Sequence, residues 1–96
     1  MAIQIKYDGG VYEISGLLNS QNGESLQHHF ETLIKHSKGI VISLNKVLDI
    51  DCSSVNIIAS LQKKALLSNT MFFIIGMKNK KVNDQFTSLD LNNILL

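Results

Sequence analysis

Ile3 and Ile5 alternate with Gln4 and Lys6, and residues 11–15 resume an extended pattern after Asp8-Gly9-Gly10. Alternation at period two predicts strands with one buried face. The paired glycines supply the positive φ of a tight turn, so the two segments read as a β-hairpin. Gly16 and the polar stretch 19–23 are expected to end this unit as a loop. Leu26, Phe30, Leu33 and Ile34 then fall at helical spacing, with Gln27, Glu31 and Lys35 between them. That spacing predicts one amphipathic helix, with Gly39 placed to stop it.

Residues 40–44 form a β-branched run of strand length, followed by a polar stretch, 45–51, read as a loop. Ile57, Ile58, Leu61 and Ala65 share one face of a second helix, which Ser68-Asn69 closes. Met71–Ile75 is apolar at every position, the pattern of an interior strand covered on both faces. Val82, Phe86 and Leu89 mark a short third helix, and residues 91–96 read as a packed tail. The order β-β-α-β-α-β-α implies parallel strands with right-handed crossovers and an antiparallel edge from the hairpin. No linker, repeat or low-complexity segment interrupts residues 1–96, which read as a single domain. In such a sheet the loops leaving the carboxyl ends of the strands gather on one edge, where ligands bind. Here those loops are 16–23, 45–54 and 76–81.

Composition narrows the function classes. The 96 residues are 45% hydrophobic, enough for one sheet with helices on it. Nine basic and eight acidic residues leave a net charge of +1, which gives no footprint for nucleic acid or an anionic membrane. The lone cysteine, Cys52, rules out an intramolecular disulfide and fits a reducing compartment. The first residues already alternate like a strand rather than a secretion signal. The longest wholly apolar run, Met71–Ile75, falls far short of the ~20 residues of a membrane helix. A cytoplasmic protein without membrane insertion is therefore expected.

The chemistry concentrates in Leu48-Asp49-Ile50-Asp51-Cys52-Ser53-Ser54-Val55, where a strand's exit leads into the second helix. One reading is helix capping, since Asp and Ser oxygens accept hydrogen bonds from the first free N–H groups. The other uses the same place as a phosphate site, because a helix N-terminus carries unpaired donors and partial positive charge. A phosphoserine there would add about −1.5 to −2 charge to a contact surface, repelling a partner. The spacing leaves both readings open.

With these motifs in this order, the chain resembles a STAS domain, the module of anti-sigma-factor antagonists and of sulfate-transporter tails. Ile14-Ser15-Gly16-Leu17-Leu18-Asn19 is similar to the family's glycine–acidic–leucine–aspartate turn after the hairpin. Ile50-Asp51-Cys52-Ser53-Ser54-Val55 is similar to its aspartate–serine–serine–glycine–leucine approach to the second helix. The resemblance implies a switch: the unphosphorylated domain binds an anti-sigma-factor kinase, which phosphorylates the first serine after the aspartate. Aligned on Asp51, that phosphoacceptor position is Cys52, which a serine kinase does not modify. Ser53 matches the second serine and is the candidate shifted acceptor. Ser54 replaces the glycine, Asn56 a small residue, and Asn19 stands where many members have aspartate. The resemblance thus implies a retained docking surface of Asn19, Asp51, Cys52, Ser53, Ser54, Val55 and Asn56, with an altered switch.

Other chemistry is less well supported. A thiolate at Cys52 could serve redox work at a helix N-terminus, but such an enzyme wants a C-x-x-C pair and a cis-proline, and the sequence contains no proline. His28 and His29 are helix neighbours that point about 100° apart and do not readily share a metal. His36 suits the helix's negative end. Lys78, Lys80 and Lys81, at the start of a helix, are either solvated or aimed at an acidic partner.

The expected fold is therefore α/β: a STAS-like mixed sheet of about four strands, with an N-terminal hairpin and three or four helices mainly on one face. The expected function is a non-enzymatic anti-sigma-factor-antagonist-like regulator that docks a kinase or anti-sigma partner through residues 45–60. The alternative is a constitutive accessory STAS subunit of an ABC-type lipid transporter, contacting its ATPase. A thiol redox enzyme is the remote third. No cofactor, metal or catalytic residue is expected, and the sequence leaves the oligomeric state open.

Overall fold

A computed structural model describes residues 3–96. Strands β1 (Gln4–Asp8) and β2 (Val11–Leu18) form the antiparallel hairpin, with Asp8 paired to Val11 across the turn. Gly9 and Gly10 take φ of +58° and +86°, which a two-residue hairpin turn requires. Helix α1 (Ser20–His36), strand β3 (Gly39–Ile50), helix α2 (Cys52–Leu67), strand β4 (Met71–Ile75) and helix α3 (Lys80–Ser88) follow. A 3-10 turn, Asn92–Ile94, leads into the tail. The four strands lie side by side in sequence order, with β2–β3 and β3–β4 parallel.

The large apolar side chains buried from the strands share one face of the sheet. Ile14 and Leu18 of β2, Ile42 and Leu44 of β3, and Ile74 of β4 are almost wholly withdrawn from solvent. Against them pack Leu26 and Phe30 of α1, Val55, Ile58 and Leu61 of α2, and Val82 and Phe86 of α3. Phe30 meets Tyr12 and Phe72 edge-on, with ring centroids 5.6 and 6.3 Å away, an arrangement that aromatic quadrupoles favour. The opposite face is open to solvent and carries the Glu13–Lys46 ion pair at 3.3 Å, together with exposed Met71 and Phe73.

Four expectations need correction. Residues 16–23 are not a loop: β2 runs on to Leu18 and α1 begins at Ser20. Gly16 takes φ +100° where the β2–β3 register shifts, so the glycine bends the strand instead of ending it. The polar stretch 45–51 is also strand. β3 continues to Ile50, but its register against β2 shifts twice, so the buried positions Leu44, Val47 and Ile50 fall three apart and the period-two signal is hidden. Gly39 opens β3 and does not cap α1, whose C-cap is Ser37.

The last correction concerns Met71–Ile75. It pairs in parallel with β3, but it is the outermost strand and only one of its faces is covered. Phe72 and Ile74 are buried while Met71 and Phe73 face solvent. Its far edge is partly closed by the C-terminal tail: Leu96 N–H donates to the Ile74 carbonyl at 2.8 Å, and Gly76 N–H donates to the Leu96 carbonyl at 2.9 Å.

Candidate functional site

β2 and β3 end level with each other, Leu18 paired with Ile50, and each turns directly into a helix. The N-termini of α1 and α2 therefore lie side by side at the carboxyl edge of the sheet. Neither first turn contains an acidic residue. Two adjacent helix N-termini concentrate unpaired N–H donors and partial positive charge at one place.

Asp51 answers both. Its Oδ1 accepts from Ser54 N–H at 2.9 Å and from the Ser53 hydroxyl at 3.0 Å, capping α2. Its Oδ2 accepts from Ser20 N–H, the first residue of α1, at 3.0 Å. Its own N–H donates to the Leu18 carbonyl at 3.0 Å, tying the helix start to the end of β2. Partial burial pushes this carboxyl up. The hydrogen bonds from Ser54, Ser53 and Ser20 outweigh that and hold it below the ordinary aspartate value.

Asn19 completes the arrangement. Its Oδ1 accepts from Gln21 N–H at 3.0 Å and from Asn22 N–H at 3.3 Å, and Asn22 Oδ1 accepts from Asn19 N–H at 3.0 Å, so Asn19 and Asn22 form a reciprocal capping box. The helices then approach closely: a Cβ built on Gly23 of α1 would sit 2.6 Å from Ile57 Cδ1 of α2. Lys64 of α2 bonds Glu31 of α1 further along, and this bond, with one from Gln27, holds the Glu31 carboxyl low.

The residues expected at the site divide by burial. Cys52 is the first residue of α2, and its side chain is exposed. Ser53 is half-buried with its hydroxyl committed to Asp51, and Asn56 is exposed. Ser54 and Val55 are both 0% exposed, so they pack beneath this surface and present no side chain to a partner. The Ser54 hydroxyl lies close enough to Asp51 to favour its charge, yet meets no partner at hydrogen-bonding geometry. The capping reading of this segment is thus correct for Asp51, and it leaves Cys52 projecting from the cap.

Two contributors escaped the sequence reading. Ser20 acts through its backbone N–H, which no side-chain motif announces. Asn79 caps α3 through Val82 N–H at 3.4 Å, and its amide donates to the carbonyls of Leu44, Asn45 and Val47 at 3.0, 3.3 and 2.8 Å. It thereby clamps the β3 bulge that sets where Ile50 and Asp51 emerge. Asparagine immediately before a helical pattern was the available signal. Among the neighbouring lysines, Lys80 bonds Asp84 at 2.8 Å, which raises its pKa, while Lys78 and Lys81 stay exposed. Among the described residues, no three His, Cys, Asp or Glu side chains are placed to share a metal ion. No helix among them is long and apolar enough to cross a membrane.

A parallel β-α-β-α-β core behind an antiparallel hairpin, with helices on one face and two capped helix N-termini at one edge, defines a small α/β module. Residues 1–95 match the STAS domain family, and the chain belongs to it. Among solved structures, the anti-sigma factor antagonist SpoIIAA in its unphosphorylated form superposes with a TM-score of 0.78 at 15% identity, covering 99% of this chain and 86% of that one. An anti-sigma factor antagonist from Mycobacterium paratuberculosis gives 0.71 at 20% identity, covering 98% and 83%. The phosphorylated form of the Bacillus cell fate determinant SpoIIAA gives 0.70 at 14% identity, covering 99% and 89%. At these identities the likeness establishes the fold. No curated protein matches the chain.

Proposed function

We propose that this protein is a non-enzymatic, cytoplasmic protein-binding regulator of the anti-sigma-factor-antagonist kind. It docks a kinase or anti-sigma partner through the edge formed by residues 45–54 and the start of α2, and its binding is not switched off by phosphate. The observation that carries this reading is Cys52: exposed, at the first turn of α2, beside the Asp51 cap, where the family's acceptor serine is expected. A thiol does not replace a hydroxyl in the kinase's in-line transfer. Ser53 is rotated about 100° along the helix, and its hydroxyl already donates to Asp51. A phosphate on Ser53 would set a dianion against that carboxylate and remove one of its hydrogen bonds, so Ser53 is a poor substitute acceptor.

Asn19, Asp51 and Ser53 shape the surface in this reading, while Cys52 and Asn56 touch the partner. Ser54 and Val55 act only by holding α2 in place.

Intact-mass spectrometry after incubation with a cognate kinase and ATP tests the proposal. The native chain should gain no phosphate, and Cys52→Ser should gain one. Stoichiometric phosphate on the native chain, mapped to Ser53, would show that the switch survives at a shifted residue. Docking is tested separately by Asn56→Arg, which should weaken partner binding at unchanged melting temperature.

The same observation favours a second reading, a constitutive accessory subunit on the ATPase of an ABC-type lipid transporter, since such a subunit needs no acceptor. Purification from native lysate distinguishes them: a serine kinase recovered with the protein supports the first, transporter subunits the second.

A further inference from the structure

The outer surface of α2 runs on from the docking edge as a single stripe of Asn56, Ala59, Ser60, Lys63 and Leu66. These residues form one wall of a groove of about 940 Å³, whose other wall is the outer margin of β4 and the C-terminal turn. Leu66, Met71 and Phe73 at its lower end are 76%, 61% and 40% exposed. Large apolar side chains gathered at one exposed place mark a contact surface more often than singly scattered ones do.

We infer that this groove takes a helix of the docking partner, apolar on the face that enters and carrying an acidic residue opposite Lys63. The inference rests on the docking reading above only for which protein supplies the helix.

Four considerations select that occupant. Among the described residues lining the groove, Lys63 is the charged one, so the lining attracts an acid and offers none of its own. A two-fold copy of this chain meets that lining badly. It would set a concave surface against its own equivalent and bring a second lysine, with no acid, to a lining that has none to offer. An added β-strand is also disfavoured, because Gln62 Nε2 reaches the Phe72 carbonyl on the outer edge at 3.5 Å and the tail bonds Ile74 and Gly76 beyond it. Ala59 and Ser60, small and midway along the stripe, let a second helix axis come within the usual 8–10 Å.

The test is a titration of isotope-labelled protein, followed by amide chemical shifts, with three synthetic helical peptides. The first places leucines on one face and flanks them with glutamates. The second has lysines as the flanks, and the third has the first's composition with the leucines scattered. The glutamate peptide should shift Ala59, Lys63, Leu66 and Phe73 and bind about fivefold more tightly than the lysine peptide, the span of one exposed ion pair. The scattered peptide should not bind. Lys63→Glu should invert the charge preference, and Leu66→Glu should abolish binding without changing the melting temperature, because Leu66 is exposed.

Shifts confined to other surfaces, no binding, or equal affinity for both charged peptides would overturn the inference. So would sedimentation as a dimer that Leu66→Glu dissociates, which would assign the groove to a second copy. Cys52→Asp, the variant that perturbs the docking edge, should leave the peptide titration unchanged. For the native protein, a normal titration without kinase binding refutes the docking reading alone, and kinase binding without a titration refutes the groove alone.

Discussion

The N-termini of α2 and α3 begin in the same way and serve opposite ends. Each is capped by a short polar side chain that accepts from the third helical N–H, Asp51 from Ser54 and Asn79 from Val82. Asn79 spends its remaining donors inward, on three carbonyls of the β3 bulge. The Asp51 carboxylate has no donors, so its spare oxygen reaches sideways to the neighbouring helix, and the residue after it, Cys52, is left in solvent. An amide can knit a helix to the strand beneath it, whereas a carboxylate can join two helix N-termini and leave their surface free. One start is riveted to the strand beneath it, and the other leaves its first side chain in solvent.

Asn79→Ala should break this contrast most severely. It removes the cap and strands up to three carbonyls, so we expect a loss of about 2–3 kcal/mol. For a domain of this size that lowers the melting temperature by about 10 °C or more. Partner affinity, measured well below the new melting point, should fall by less than the stability does, because the bulge that places Asp51 loosens while the docking side chains remain. A loss of affinity as large as the loss of stability would mean that the α3 start is part of the docking surface.

Asp51→Ala should cost less, about 1–2 kcal/mol, because the two N-termini it serves are partly solvated. Its effect should depend on pH. The Asp51 carboxyl is held below its ordinary value in the folded state, so it contributes stability above the unfolded value near pH ~4. That contribution is lost as the pH falls through the lower folded value. Acid melts of native and Asp51→Ala protein should therefore converge at low pH. Parallel curves would remove the carboxylate's charge from the account.

Ser54→Ala sharpens the comparison from beneath. A fully buried hydroxyl without a hydrogen-bond partner costs its desolvation, so the variant should be more stable by up to about 1 kcal/mol. A clear destabilisation would reveal a bond to Asp51 formed in solution. The smallest effect on stability belongs to Cys52→Ser, within about 0.5 kcal/mol because the side chain is exposed. Yet it is the variant expected to change what the protein does.

How much of this was legible beforehand varied with the kind of signal. The strands, helices and hairpin turn could be read wherever periodicity was intact, as in Leu26-Phe30-Ile34 or Gly9-Gly10. It failed at β3, because a bulge resets the alternation and makes Asn45 and Lys46 resemble a loop. It failed again at Met71–Ile75, where an all-apolar run implied two covered faces although the strand lies at the edge. There Met71 and Phe73 are apolar without being core, so composition alone could not tell burial from a contact surface. At the site, Asp51 and Cys52 were visible as motif residues. The partition of Ser53 from Ser54 depends on which way each turn of α2 faces. The reach of Asn79 across 35 residues to Leu44 has no local trace at all.

The strand order has a kinetic consequence. Each strand is bonded to the one before it in the chain, β1 to β2, β2 to β3 and β3 to β4, with no strand inserted later between earlier ones. The hairpin closes the shortest loop and can form on the ~1–10 μs scale of such units. Each parallel partner then needs only the closure of a single helical crossover. Sheets assembled this way have a lower contact order than those that interleave distant segments, which shortens the search for native pairings. A chain emerging from the ribosome could thus add each strand to an already ordered neighbour, with β4 and its sealing tail arriving last.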